Sequence, residues 1–247
     1  MIYSTISRFC AKRHMGRWFS NLLTRPISMV DPTQKESLNE MCFLVDDNDK
    51  VIGTASKQDC HSVAADGNIP LHRAFSVFLF DKKGDFLMQK RADTKITYPG
   101  YYSNTCCSHP LASVDGEDDL SDAIGIKKAA VRRLNFELGI PKEHLQLEKF
   151  EYLTRIKYKD QGDGKWGEYE IDYILFFQDD VPLNPNSNEV AAISYVPKDE
   201  FYSYMHSLDG PLTPWFQLII KKRLHLWWDN LANLSKFKDH TQILNLV

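Results

Sequence analysis

Apolar residues fall first into short runs of strand length and later into helical spacing. Apolar runs at residues 41–45 and 51–54 flank the polar stretch Asp46-Asp47-Asn48-Asp49-Lys50, the pattern of two strands joined by a turn. A polar loop is expected over residues 57–71, with His61 and His72 toward its two ends. Residues 73–81 and 85–91 repeat the strand pattern around Lys82-Lys83-Gly84, predicting a second hairpin. Tyr98-Pro99-Gly100-Tyr101 then turns the chain into an extended segment over residues 102–108. Residues 150–158, 168–178 and 191–196 read as further strands. Helical spacing is clearest over residues 123–138, closed by Gly139 and Pro141. Residues 197–205 and 213–234 also read as helices, the second with Thr213 as N-cap and Pro214 at its first position. The sum is one α/β (α+β) domain: a mixed β-sheet flanked by helices, with an extra N-terminal hairpin and C-terminal helices.

Composition narrows the function classes. A chain of 247 residues with 43% hydrophobic content can build one sizeable core. The formal net charge of −3 gives no basic excess of the kind a general nucleic-acid binder carries. No apolar run approaches the roughly 18 residues of a membrane span. The five cysteines, Cys10, Cys42, Cys60, Cys106 and Cys107, are odd in number and irregularly spaced, which argues against a secreted disulfide framework and leaves a thiol free for chemistry. Residues 1–30 carry Arg8, Lys12, Arg13, Arg17 and Arg25 and no acid. They read either as a mitochondrial presequence or as a basic disordered tail. The boundary therefore separates an N-terminal extension, 1–30, from a domain over 31–247. The C-terminal Leu244-Asn245-Leu246-Val247 is not a Ser-Lys-Leu type of address. The expected location is the cytoplasm, with mitochondria (through residues 1–30) and peroxisomes as alternatives.

Four tracts can carry chemistry. In Ser103-Asn104-Thr105-Cys106-Cys107-Ser108-His109-Pro110, Cys107 and His109 stand two apart and share one face of an extended segment. A thiol and an imidazole so placed can bind metal, pair as nucleophile and base, or put a proton donor beside a metal; a free Cys is also often just buried. In Trp166-Gly167-Glu168-Tyr169-Glu170-Ile171-Asp172, Glu168 and Glu170 share one strand face and Asp172 continues it. Like charges there call for a cation or a shared proton; a solvated edge strand is the plainer alternative. His61 and His72 gain meaning only together with His109 and the acids, since three imidazoles with carboxylates suit a divalent transition metal. Arg133 and Glu137 lie four apart on one helix face, either as a surface ion pair or facing an anion and its metal.

Taken in order, these tracts resemble the type 1 isopentenyl-diphosphate isomerases, enzymes on a Nudix fold. The likeness runs from about Met41 to the C-terminal helix. It rests on residues 104–110 and 166–172, on Leu71-His72-Arg73-Ala74-Phe75, and on Thr213-Pro214-Trp215-Phe216. Where a Nudix hydrolase box has metal-holding acids, this chain has Arg133 and Phe136, and only Glu137 and the Gly139-Ile140 end persist. The resemblance thus implies a diphosphate that is bound and not cleaved. It implies a divalent metal (Mg²⁺, Mn²⁺ or Zn²⁺) held by His61, His72, His109, Glu168 and Glu170. It implies Cys107 and Glu170 as proton carriers, with Tyr158 hydrogen-bonded to Glu170 and Trp215 lining the hydrocarbon pocket. Lys57, Arg91, Lys95 and Arg133 would bind the diphosphate, and Glu137 would reach a second Mg²⁺ bridging it. The expected partner is a small prenyl diphosphate, with no nucleic acid and no membrane span, acting on a monomer. The competing classes are a Nudix hydrolase, a Cys–His thiol hydrolase and a catalytically inactive binding module.

Overall fold

The computed structural model describes residues 31–246. The expectations for residues 1–30 lie outside the described residues. In chain order the elements are α1 (Pro32–Ser37), β1 (Met41–Val45), β2 (Val51–Ser56), α2 (Lys57–His61), β3 (His72–Phe80), β4 (Phe86–Arg91), β5 (Tyr102–Ser103), β6 (Cys106–Ser108), α3 (Ile124–Leu138), β7 (Glu151–Asp160), β8 (Glu168–Gln178), β9 (Val190–Val196), α4 (Phe201–Ser207), α5 (Pro214–Ile219), α6 (His225–Trp228) and β10 (Ile243–Asn245). The sheet is mixed. Its main path runs β10-β7-β8-β3-β1-β2, with β4 linked to β3, β5 and β9. Among the described residues no helix is long and apolar enough to cross a membrane.

β3 is buried along its whole length, as expected of a strand paired in parallel with β8 and covered on both faces. Its residues alternate between two cores. Phe75, Val77 and Leu79 join α3, through Ile126, Ala130, Leu134 and Leu138. Phe78 and Phe80 join the C-terminal helices, through Trp215, Phe216, Trp227 and Trp228.

The second predicted hairpin is corrected. Its turn forms, with Asp81 and Asp85 bonded through the backbone at 3.0 Å, but β3 and β4 pair only at Phe80 and Phe86. They then diverge. The Thr105 hydroxyl fills the gap, accepting from Leu79 N at 2.9 Å and donating to Leu87 O at 2.6 Å. β3 takes β8 and β6 as partners, and β4 takes β5 and β9.

The expected loop over residues 57–71 opens instead with α2. Ser56 Oγ accepts from Asp59 N at 3.1 Å and donates to its carboxylate at 2.6 Å. Ser-x-x-Asp is the local sequence sign of this N-cap. The predicted helix over residues 213–234 is broken. Residues 214–219 are α-helical, a π-helical turn spans Ile220–Leu224, α6 follows, and a 3₁₀ stretch covers Leu231–Phe237. A regular helix burying Trp215, Phe216 and Ile219 would next bury residues 222, 223 and 226. Those are Lys222, Arg223 and Leu226, and Leu226 is exposed. The π turn inserts one residue and delivers Leu224, Trp227 and Trp228 to the core. Thr213 makes no side-chain cap hydrogen bond; its hydroxyl lies 2.9 Å from Ser103 Oγ. α1 and β10, both absent from the sequence reading, complete the described chain.

Beside the site, wholly buried Arg73 donates to the Asp49 side chain at 2.7 Å and to its backbone carbonyl at 2.6 Å. Arg155 and the Tyr173 hydroxyl bind the same carboxylate. Removing one partner leaves an uncompensated buried charge. Asp49→Ala is expected to cost about 3–5 kcal/mol of stability in urea denaturation. A loss below about 1 kcal/mol, the size of an exposed ion pair, would show that the cluster is solvated.

Candidate active site

The site begins with strand register. On β8, Glu170 lies beside His72 of β3 and opposite Tyr158 of β7. The Tyr158 hydroxyl donates to one Glu170 oxygen. The other oxygen, Oε1, lies 3.4 Å from His72 Nε2 and 3.0 Å from His109 Nε2. His61 ends α2 and places Nε2 3.0 Å from Glu168 Oε2. The three imidazole centroids are 4.8, 4.9 and 5.1 Å apart. One ligand atom from each of His61, His72, His109, Glu168 and Glu170 lies within 4.8 Å of all the others, and all five residues are buried.

This donor set fits a divalent metal. The Nδ1 atoms of His61 and His72 face the Lys57 and Pro70 carbonyls at 2.8 and 2.9 Å. A carbonyl only accepts, so each ring keeps a proton on Nδ1 and can offer its Nε2 lone pair inward. Lone pairs then face carboxylate oxygens. His72 Nε2, His109 Nδ1 and Glu168 Oε2 are buried without a hydrogen-bond partner, a cost that a cation removes. Without one, the protons redistribute. Burial opposes charge on His72, but the adjacent Glu170 carboxylate outweighs it and raises the ring to about 9. Burial, with the neighbouring histidines, pushes His61 and His109 down to about 3. Burial would raise Glu170, yet the hydrogen bond with His109 and the close approach of His72 pull it well below the usual carboxylate range. Burial and the Glu170 charge push Glu168 well above it.

Cys107 is the half-buried member of the cysteine pair and lines the same cavity as Glu170. Cys106 is fully buried in the core beneath α3. Cys107 Sγ lies 3.2 Å from Ser76 Oγ, 3.0 Å from Asn104 Oδ1 and 2.9 Å from Trp215 Nε1. Burial and the Asp172 carboxylate push its thiol up, so the group holds its proton. Ser76 donates to Asp172 at 2.8 Å. Trp215, in the first turn of α5, meets Tyr98 edge-on with ring centroids 5.3 Å apart.

Lys57, Arg91, Lys95 and Arg133 line this cavity too. Arg91, closing β4, donates to the Tyr98 and Thr97 carbonyls at 3.1 and 2.7 Å. Glu189 binds Lys95 at 2.5 Å and Arg133 at 3.1 Å. Burial works against its charge, but these two cations hold its carboxyl down at about 2. Glu137 is engaged by Arg133 at 2.6 Å and lies outside the His/Glu cluster and the cavity lining. Asn104, Ser76 and Glu189 were not singled out from the sequence. Asn104 stands inside the Cys-Cys tract, and Glu189 follows an unpatterned Asn-Pro-Asn-Ser-Asn run.

The NUDIX domain model matches residues 70–216. Isopentenyl-diphosphate Delta-isomerase 1 of Mesocricetus auratus is 50% identical over 219 residues, covering 87% of this chain and 96% of the relative. The Mus musculus protein of the same name is 49% identical over 222 residues, covering 89% and 97%. Isopentenyl-diphosphate Delta-isomerase I of Clarkia breweri is 44% identical over 241 residues, covering 94% and 83%. Among solved structures, DR0079 from Deinococcus radiodurans matches with a TM-score of 0.51 at 14% identity, covering 74% of this chain and 99% of that one, a likeness of fold alone. By the length and level of these matches, the chain belongs to the isopentenyl-diphosphate Delta-isomerase family, on a NUDIX domain.

Proposed function

We propose that the chain interconverts isopentenyl and dimethylallyl diphosphate in isoprenoid biosynthesis, with Cys107 and Glu170 as its two proton carriers. One observation carries this reading: a thiol, a carboxylate and an indole line one cavity with the cationic side chains of Lys57, Arg91, Lys95 and Arg133.

Moving the double bond from C3–C4 to C2–C3 adds a proton at C4 and removes one from C2. The intermediate resembles a tertiary carbocation. Two separate proton-transfer groups accomplish this without either having to migrate. Tyr158, donating to Glu170, orients that carboxylate. The buried face of Trp215 stabilises the cation by ~1–2 kcal/mol when water is excluded. The four cationic side chains hold the diphosphate, and Glu137, the ion-pair partner of Arg133, would be the residue to reach a Mg²⁺ accompanying it. A divalent ion (Mg²⁺, Mn²⁺ or Zn²⁺) bound by His61, His72, His109, Glu168 and Glu170 supplies charge that keeps these acceptors assembled and Glu170 ionised. We place the activity in the cytoplasm, with mitochondria and peroxisomes as the alternatives.

The assay is conversion of isopentenyl diphosphate with Mg²⁺ present. Cys107→Ala and Glu170→Gln should each lower kcat by about 10³-fold or more, while Cys106→Ala stays within about threefold of wild type. Equal losses at both cysteines would refute the choice of Cys107. Phosphate release with little sensitivity to Cys107→Ala would favour a hydrolase. Dialysis against a strong chelator should abolish turnover and lower the thermal midpoint, and adding back a divalent ion should restore both. Full activity in rigorously metal-free protein would contradict the metal assignment.

A further inference from the structure

Asn104 is wholly buried and sits at the end of the β3–β6 ladder. Its Nδ2 donates to the carbonyls of Val77 and Cys106, each at 3.1 Å, and those two residues are register partners. Turning the amide round would set its oxygen against two carbonyl oxygens and its NH2 against the indole N–H of Trp215, which can only donate. Oδ1 is therefore committed to the site. There it lies 3.0 Å from Cys107 Sγ and 3.0 Å from Trp215 Nε1.

An amide oxygen only accepts, so the thiol and the indole share one fixed acceptor. Because Trp215 Nε1 also lies 2.9 Å from the sulfur, the three groups close a triangle. A second tie reinforces it. Ser103 Oγ lies 3.1 Å from the same amide oxygen and 2.9 Å from Thr213 Oγ1. Thr213, itself fully buried, immediately precedes α5. The hydroxyl that a helix start would spend on capping instead joins the helix carrying Trp215 to Ser103 of β5, which leads through Asn104 into the strand carrying Cys107.

We propose that Asn104 is a positioning residue that holds the Cys107 thiol and the Trp215 ring as one unit. The inference rests on the isomerase reading, in which a proton carrier and the cation-stabilising face must meet the same five-carbon skeleton. Misalignment of either affects the chemical step, whereas none of the four diphosphate-binding cations contacts Asn104 in the hydrogen bonds described above.

The test compares full-length, metal-supplemented wild type with Asn104→Ala. The expected result is a kcat lower on the order of 100-fold, the cost of a small misplacement of reacting groups, with KM for isopentenyl diphosphate within about threefold. Loss of folded protein would also lower apparent kcat at unchanged KM, so each kcat is divided by the folded fraction read from circular dichroism and thermal unfolding. A structural role alone predicts a normalised kcat equal to wild type, and positioning predicts that the loss survives normalisation. Should Asn104→Ala prove insoluble, Thr213→Val carries the test. It should lose several-fold in kcat at unchanged KM, and Thr213→Ser, which keeps the hydroxyl, should restore it. An unchanged kcat in Asn104→Ala, or in Thr213→Val where that variant decides, overturns the proposal. An inactive wild type would overturn this inference and the isomerase reading together; an active wild type with an unaltered variant overturns this inference alone.

Discussion

The parallel pairing of β3 with β8 is the constraint on which the site depends. It sets His72 beside Glu170, and the antiparallel pairing of β8 with β7 sets Tyr158 on the other side of the same carboxylate. Side chains alternate along a strand, so a slip of one residue would swap the faces. Ile171 would then meet the histidines, and Glu170 would enter the apolar core beneath α3. That exchange is prohibitive because β3 feeds both cores. Phe78 and Phe80 pack with the C-terminal helices, while Val77 and Leu79 pack with α3. The hydrophobic alternation that builds the cores is the same alternation that aims the acids.

The register brings together groups that are unfavourable in isolation. At one end, imidazole lone pairs face carboxylates in a buried cluster. At the other, Lys95 and Arg133 are held by Glu189, and Arg91 by backbone carbonyls. The first end has a clear chemical complement in a divalent cation, and the second is the end we propose holds the diphosphate. Between these requirements the thiol is kept protonated by burial and by Asp172. The fold thus keeps a thiol, carboxylates and cations in a buried setting, most of them held by a specific neighbour and the orphaned imidazole and carboxylate atoms gathered in one cluster.

Much of this was legible along the chain. The alternation of Glu168, Tyr169 and Glu170 already assigned both acids to one face, and the apolar run after Asp172 already implied entry into the core. The strands around the site fell near their expected positions for the same reason. What was missed came from contacts between distant segments. The helical placement of His61 hid in a polar stretch and was betrayed only by Ser56 and Asp59. Nothing local marks Glu189, because its role arises from Lys95 and Arg133 elsewhere in the chain. The π turn at Ile220–Leu224 shifts the apolar period by one residue, and its local sign is that a regular period from Trp215, Phe216 and Ile219 falls on Lys222 and Arg223. Asn104 lay within a conspicuous tract, yet its function depends on Val77 and Trp215, far from it in sequence.

The central claim is that the chain adds and removes protons on a five-carbon diphosphate. The most direct measurement is mass and deuterium NMR analysis of the product formed from isopentenyl diphosphate in D₂O by active, metal-loaded protein. The account predicts deuterium in a methyl group of dimethylallyl diphosphate, with the diphosphate intact. Product without solvent deuterium, or release of phosphate in place of isomerisation, would contradict it.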